Sequence, residues 1–215
     1  MLSGAKHLAV DHPDFRYQPS PNPYSRKIDA WAKEGLCFGE GATEQFAGRW
    51  REQFRDGVTA DARRKIHVEV GCNAGHVILE WAKQNPQNAY IGVDWKPKAI
   101  GRATEKAIKR GLKNVIFLRA QAARLPYIFA PGEVDEVSIF FPDPWPKKAH
   151  WKHRWVNADR LKSLHQVLGS KGLLHIKTDH PEYFAWMLDA HQQTQSLWNT
   201  LQLSHDKHAG HADPL

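Results

Sequence analysis

The chain of 215 residues reads as an α/β protein: a doubly wound, mostly parallel sheet with helices on both faces. From residue 65 onward, short apolar runs alternate with longer stretches of helical periodicity, which is the pattern of βαβ units. Glycine and proline punctuate those segments at their ends. Crossovers between consecutive parallel strands are expected to be right-handed.

The elements follow in order. Residues 1–43 mix Pro, Gly, Ser and charge, as in HPDFRYQPSPNPYSRK, and read as an extended, partly ordered arm. EQFAGRWREQF (44–54) places Phe46, Trp50 and Phe54 at helical spacing, which predicts a short amphipathic helix packed on the main domain. KIHVEVG (65–71) is the first predicted strand, and HVILEWAKQ (76–84) the helix after it. AYIGVDW (89–95) is the second strand. Residues 97–111 form a helix with Pro97 at its start and Gly111 as its stop. NVIFLRA (114–120) and EVDEVSIFF (133–141) are the third and fourth strands. NADRLKSLHQVLG (157–169) is a helix capped by Asn157 or Asp159. GLLHIKTD (172–179) is the fifth strand and HPEYFAWMLDAHQ (180–192) the last helix. The division is therefore residues 1–60, arm and short helix, and residues 61–215, the main domain.

Composition narrows the class. Apolar residues make up 41% and charged residues 25%, which suits a soluble protein with a real core. There is no apolar run near the length of a membrane span, and the start, MLSGAKHLAVDHPDF, lacks the apolar centre of a signal peptide. Cys37 and Cys72 make neither a disulfide framework nor a metal set, so a cytoplasmic protein with reduced thiols is expected. A net charge of +7 favours a polyanionic partner, although solubility alone accounts for it equally well. Nothing calls for a membrane or an obligate protein partner, and a monomer or homodimer is expected. The tail HDKHAGHADPL (205–215) reads as solvated.

In open α/β sheets the ligand lies outside the carboxyl ends of the strands. Those ends carry Glu69 with the loop Gly71-Cys72-Asn73-Ala74-Gly75, then Asp94, then Gln121, then Pro142-Asp143-Pro144-Trp145, then Thr178-Asp179. Four of the five ends hold a carboxylate, an arrangement that a purely structural sheet has no use for because like charges repel. Gly71 and Gly75 let backbone approach a ligand, and Asn73 tolerates positive φ. Neither GK[ST] nor G-x-G-x-x-G is present, and Glu69 beside the turn would repel a pyrophosphate. An adenosyl sulfonium with an amino-acid tail fits better. Its ammonium pairs with Glu69, and Asp94 accepts from both ribose hydroxyls. That is the pattern of proteins that bind S-adenosylmethionine. The alternative is an α/β protein with a glycine turn and no nucleotide.

FFPDPWPKKAHWKHRW (140–155) ends the fourth strand. Prolines on both sides of Asp143 fix φ and restrict the residues before them, so one carboxylate points in one direction. Trp145 supplies a face for base stacking. Lys147, Lys148, His150, Lys152, His153 and Arg154, interleaved with Trp151 and Trp155, suit phosphate contact with stacking. The bland alternative is a solvated basic loop. No metal site is expected here, because Lys and Arg would repel a cation.

Taken together, VEVGCNAG (68–75), YIGVD (90–94), FFPDPWPKKAHWKHR (140–154) and HIKTD (175–179) resemble the bacterial tRNA (guanine-N7)-methyltransferases over about residues 65 to 195. The resemblance implies a Rossmann-like class I methyltransferase fold. The substrate it implies is tRNA, methylated at a guanine of the variable loop (position 46 in tRNA). By position, it makes Glu69, Gly71, Asn73, Gly75, Asp94 and Gln121 cofactor-binding residues. Asp143 becomes the catalytic carboxylate near both cofactor and guanine. Lys147, Thr178 and Asp179 become substrate-binding residues, and His150 and Arg154 fall in the stretch that contacts tRNA. Two departures stand out. Gln121 replaces an acid, and it can still accept from an adenine amino group and donate to a ring nitrogen. The family's Thr-x-Tyr/Phe-Glu segment is missing before HADPL, so either the chain is truncated or its site closes differently. Two other readings stay open. One is a methyltransferase acting on an exocyclic amine, although those resemble D-P-P-[YFW] rather than P-D-P-W. The other is a non-catalytic RNA-binding module with the same fold.

Overall fold

A computed structural model describes residues 8–17, 22–58 and 64–205. Within them the chain order is α1 (Ser25–Lys33), β1 (Cys37–Gly39), two 3-10 turns (Glu40–Phe46 and Trp50–Gln53), β2 (Ile66–Val70), α2 (His76–Gln84), β3 (Ala89–Asp94), α3 (Pro97–Lys109), β4 (Val115–Arg119), α4 (Leu125–Ile128), β5 (Glu136–Phe140), α5 (Ala158–Leu168), β6 (Leu173–Lys177) and α6 (Pro181–Gln192). The strands form one sheet in the order β1-β4-β3-β2-β5-β6, and every neighbouring pair is parallel. The predicted strands and helices after residue 65 are all present, shortened by one to four residues or unchanged. No helix of the described residues is long and apolar enough to cross a membrane.

Why these residues form this sheet follows from burial. β2, β3 and β4 are buried along almost their whole length, because helices cover both faces. One face packs Ile28 of α1, Ile78, Leu79 and Ala82 of α2, and Ile100, Ala103 and Ala107 of α3 against Tyr90, Val115 and Phe117. The other face packs Leu161, Leu164 and Val167 of α5 and Tyr183 and Met187 of α6 against Val68, Ile91, Val137 and Ile139. α5 starts where Asn157 accepts from the Arg160 amide at 3.0 Å, so Asn157 and not Asp159 is the cap.

The stretch before residue 60 differs from its predicted form in two ways. It is not a plain extended arm, because Ser25–Lys33 is a helix and Cys37–Gly39 pairs with Phe117–Arg119 as an edge strand of the main sheet. Residues 44–54 are not one helix either. Gly48 has φ +80° and breaks the run, and the Glu133 carboxylate accepts from the amides of Gly48 (2.7 Å) and Trp50 (2.8 Å) in place of helical carbonyls. Phe46, Trp50 and Phe54 still face the core, and the Trp50 indole donates to the Ile128 carbonyl at 2.7 Å. Their spacing reported burial and not a helix. The tail after His205 lies outside the described residues.

Strand order reverses across β2 and β5. β3 and β4 lie on one side of β2, and β5 and β6 on the other. The crevice that such a reversal leaves at the carboxyl ends of β2 and β5 is where the candidate residues collect.

Candidate active site at the carboxyl edge of the sheet

The loop after β2 is built on left-handed backbone. Gly71, Asn73 and Gly75 have φ of +78°, +48° and +70°. A Cβ on Gly75 would lie 3.1 Å from the Ala103 Cβ and 3.2 Å from Leu79 Cδ1, so α2 and α3 close on the turn. At Gly71 the Cβ position opens onto free space, a cradle that a side chain would fill. The Gly71 and Cys72 amides both donate to the Val93 carbonyl, at 2.8 and 3.2 Å, which fastens the loop to β3.

Glu69 points into this loop from β2. It is 5% exposed and accepts from the Ile78 amide, an otherwise free donor in the first turn of α2, at 3.1 Å. Burial pushes its carboxyl up to about 7; the Ile78 bond opposes this and the charge of Asp94 adds to it. A buried acid held near neutrality, facing a glycine cradle, is suited to receive a cation. Asp94, at the end of β3, accepts from the Asn73 amide at 2.9 Å with one oxygen and from the Lys96 amide at 2.8 Å with the other. Asp94 therefore joins the loops after β2 and β3 and fixes their separation.

On the far side of Asp94 lies a residue pair that sequence reasoning missed. The Tyr17 hydroxyl accepts from the Gln121 amide at 3.3 Å, and its ring lies nearly parallel to Trp95 (18°) with centroids 6.3 Å apart. The segment carrying Tyr17 is tied down by Arg124, which donates to the carbonyls of Val10 (3.0 Å) and His12 (2.7 Å) while forking onto both Glu44 oxygens. No local pattern announces a contact between residues 104 positions apart.

The Pro-Asp-Pro-Trp loop leaves β5 with two non-glycine residues in left-handed conformation, Phe141 at φ +51° and Trp145 at φ +44°. Phe141 is 62% exposed, and its amide donates to the Lys177 carbonyl at 2.8 Å. Asp143 is exposed between them. The rings of Trp145, His150 and His153 cluster, with Trp145 centred 5.8 Å from His150 and 5.2 Å from His153. Lys147 and His150 are exposed, as a surface contact requires. Arg154 is the exception among the residues expected to touch tRNA. It is 2% exposed and turned inward, so it does not share that surface. After β6, the Thr178 hydroxyl accepts from the His180 amide at 3.2 Å, and Asp179 is exposed beside it.

The sheet thus brings Glu69, Asp94, Asp143 and Asp179 to the carboxyl ends of β2, β3, β5 and β6 along one edge. A family model described as "Putative methyltransferase" matches residues 63–213. The chain is 37% identical over 156 residues to the tRNA (guanine-N(7)-)-methyltransferase of Geobacillus kaustophilus (strain HTA426), spanning 73% of this chain and 69% of that one. It is 40% identical over 144 residues to the protein of the same name from Bacillus licheniformis, spanning 67% of this chain and 65% of that one. Among solved structures, TrmN from Thermus thermophilus aligns with a TM-score of 0.48 and 26% identity over 58% of this chain and 37% of that one.

Proposed function

The chain belongs to the tRNA (guanine-N7)-methyltransferase family, and from that premise we propose that its carboxyl edge binds S-adenosylmethionine and transfers the methyl group to N7 of a guanine in tRNA. The observation that carries the reading is the buried Glu69 beside the open cradle at Gly71, with Asp94 fastened to the same loop. These residues fit the cofactor. The Glu69 carboxylate would take the ammonium of its amino-acid tail. Asp94, with both oxygens already oriented by amides, would accept from the ribose hydroxyls through its remaining lone pairs. Gln121, Trp95 and Tyr17 would border the adenine.

When bound, S-adenosylmethionine supplies an electrophilic methyl group on a sulfonium. Guanine N7 has an in-plane lone pair, so no proton leaves before it accepts the methyl. The protein's main task is alignment, an effect worth up to ~7–11 kcal/mol. The purine gains positive charge as N7 takes the methyl, and the fixed Asp143 carboxylate stabilises it. Asp143 and Asp179 also accept from the guanine Watson–Crick edge and so orient the ring. Lys147 and His150 bind the RNA from the exposed basic surface. The guanine of the variable loop is the target in this reading, and the cytoplasm is where the protein works.

The test is transfer of labelled methyl from S-adenosylmethionine to an unmodified tRNA transcript, with the product mapped by chemical cleavage at N7-methylguanine. Cleavage at one variable-loop guanine is the expected result. Methyl on an exocyclic amine, or no transfer with RNA still bound, overturns the reading.

A further inference from the structure

We propose that Arg154 is a positioning residue, an internal clamp that holds the Asp143 loop from beneath, and that it grips no phosphate. The inference rests on Asp143 acting in methyl transfer, as proposed above. The Arg154 side chain is 0% exposed. Its Nε donates to the carbonyl of Pro144, the residue after Asp143, at 2.8 Å. The guanidinium sits in a cage of aromatic faces, 4.4 Å from the centre of Trp151, 5.1 Å from Tyr183 and 5.4 Å from Trp186. Nη2 lies 3.6 Å from the Glu182 carboxylate, at the start of α6. The cage is itself pinned to the chain just beyond Arg154. The Tyr183 hydroxyl accepts from the Val156 amide at 3.0 Å, and the Trp186 indole donates to the Val156 carbonyl at 2.8 Å.

The loop needs such a clamp. Pro142, Pro144 and Pro146 have no amide hydrogen, so three of five consecutive positions cannot be held by donating one. Phe141 and Trp145 hold left-handed backbone at about 1–2 kcal/mol each. Arg154 supplies a hydrogen bond to the backbone of this segment, at the Pro144 carbonyl. Reaching a phosphate would require the guanidinium to leave its cage and release Pro144. The two roles are therefore exclusive in this packing.

The experiment separates them with Arg154→Gln and a kinetic cycle. The glutamine Nε2 falls at the place along the stem that arginine Nε occupies, so it keeps the donor to Pro144 and loses the charge. The clamp predicts that Arg154→Ala lowers kcat at least tenfold while the salt slope of tRNA affinity stays as in the wild type. It also predicts that Arg154→Gln recovers most of that loss. In an Asp143→Ala background, Arg154→Ala then costs less than about twofold, because the group it positions is gone. A phosphate contact predicts instead that both Arg154 variants reduce the slope of log affinity against log salt by about one. That result, or losses that multiply across the cycle, overturns the proposal. If Arg154→Ala does not fold, the salt slope and kcat of Arg154→Gln decide by themselves. If the wild type transfers no methyl to N7, the functional reading fails, and the clamp is then judged without turnover. Trypsin should cut after Lys147 and Lys148 faster in Arg154→Ala than in the wild type, and equal rates overturn the clamp.

Discussion

With Glu69 holding the cofactor's ammonium, as proposed, cofactor affinity is expected to rise with pH. The Glu69 carboxyl is pushed up to about 7 by burial, and the ionised form is the one that pairs with an ammonium. About a tenth of the protein is in that form at pH 6 and about three quarters at pH 7.5, so affinity should rise about eightfold between them. The cofactor's own amine, with a pKa of about 7.8, loses part of its charge over the same interval and trims the gain to about sixfold. Isothermal titration of S-adenosylmethionine across this range reads the slope. Glu69→Gln should bind about 10–100-fold more weakly at pH 7.5, the worth of a charged hydrogen bond, with no rise toward neutral pH. The same group marks the stability of the ligand-free protein. It titrates near 4.5 in the unfolded chain and near 7 in the folded one, so the folded state keeps a proton that the unfolded chain has lost. Its contribution is present in full below about 4.5 and is lost as pH rises through about 7. An affinity that stays within twofold from pH 6 to 7.5 in the wild type, or the same rise in Glu69→Gln, would refute the reasoning.

Other substitutions test other parts of the edge. Asp143→Ala should lower single-turnover rates by about 10²–10³ while cofactor affinity stays within twofold, and near-normal turnover removes its role. Lys147→Ala should weaken tRNA binding and lower the salt slope by about one, measured by titration at several salt concentrations; an unchanged slope places Lys147 away from phosphate. Gly75→Ala meets both a φ of +70° and the Ala103 Cβ at 3.1 Å, so it should cost about 1–3 kcal/mol in denaturant unfolding. A loss below about 0.5 kcal/mol would show that α3 moves aside easily.

Much of this architecture was legible because its signals are local. β2 is an apolar run ended by a glycine, α3 carries Pro97 and Gly111 at its ends, and the acids at the carboxyl edge fall where strands stop. The loop conformation at Asn73 was legible for the same reason, since few side chains tolerate its φ. What was not legible is set by partners far away in the chain. Cys37–Gly39 is three residues long, and nothing in CFG announces a strand until β4 is beside it. Phe46, Trp50 and Phe54 repeat at helical spacing, yet Glu133, more than seventy residues on, takes the amides and leaves two turns in place of a helix. Arg154 sits in a run of positive charge that reads as a solvated surface. Its burial depends on Tyr183 and Trp186 of α6 arriving from below. Tyr17 reaches Gln121 for no reason that its neighbours in sequence supply.

The edge strand β1 has a consequence for the order in which the molecule assembles and comes apart. Cys37 pairs with Phe117, eighty positions later, so closing this pair costs more loop entropy than any neighbouring βαβ unit. It is therefore expected to dock after β3 and β4 have formed. With three residues of pairing, it is also among the first parts to detach in the native ensemble. Detachment does not stay at the rim. Glu40 follows β1 directly and pairs with Arg119 at 2.8 Å, and the Arg119 guanidinium lies 5.2 Å over the Trp95 ring next to Asp94. An excursion of β1 that carried Glu40 away would leave Arg119 without this counter-charge. One ion pair thus links the peripheral strand to Trp95, the residue that follows Asp94.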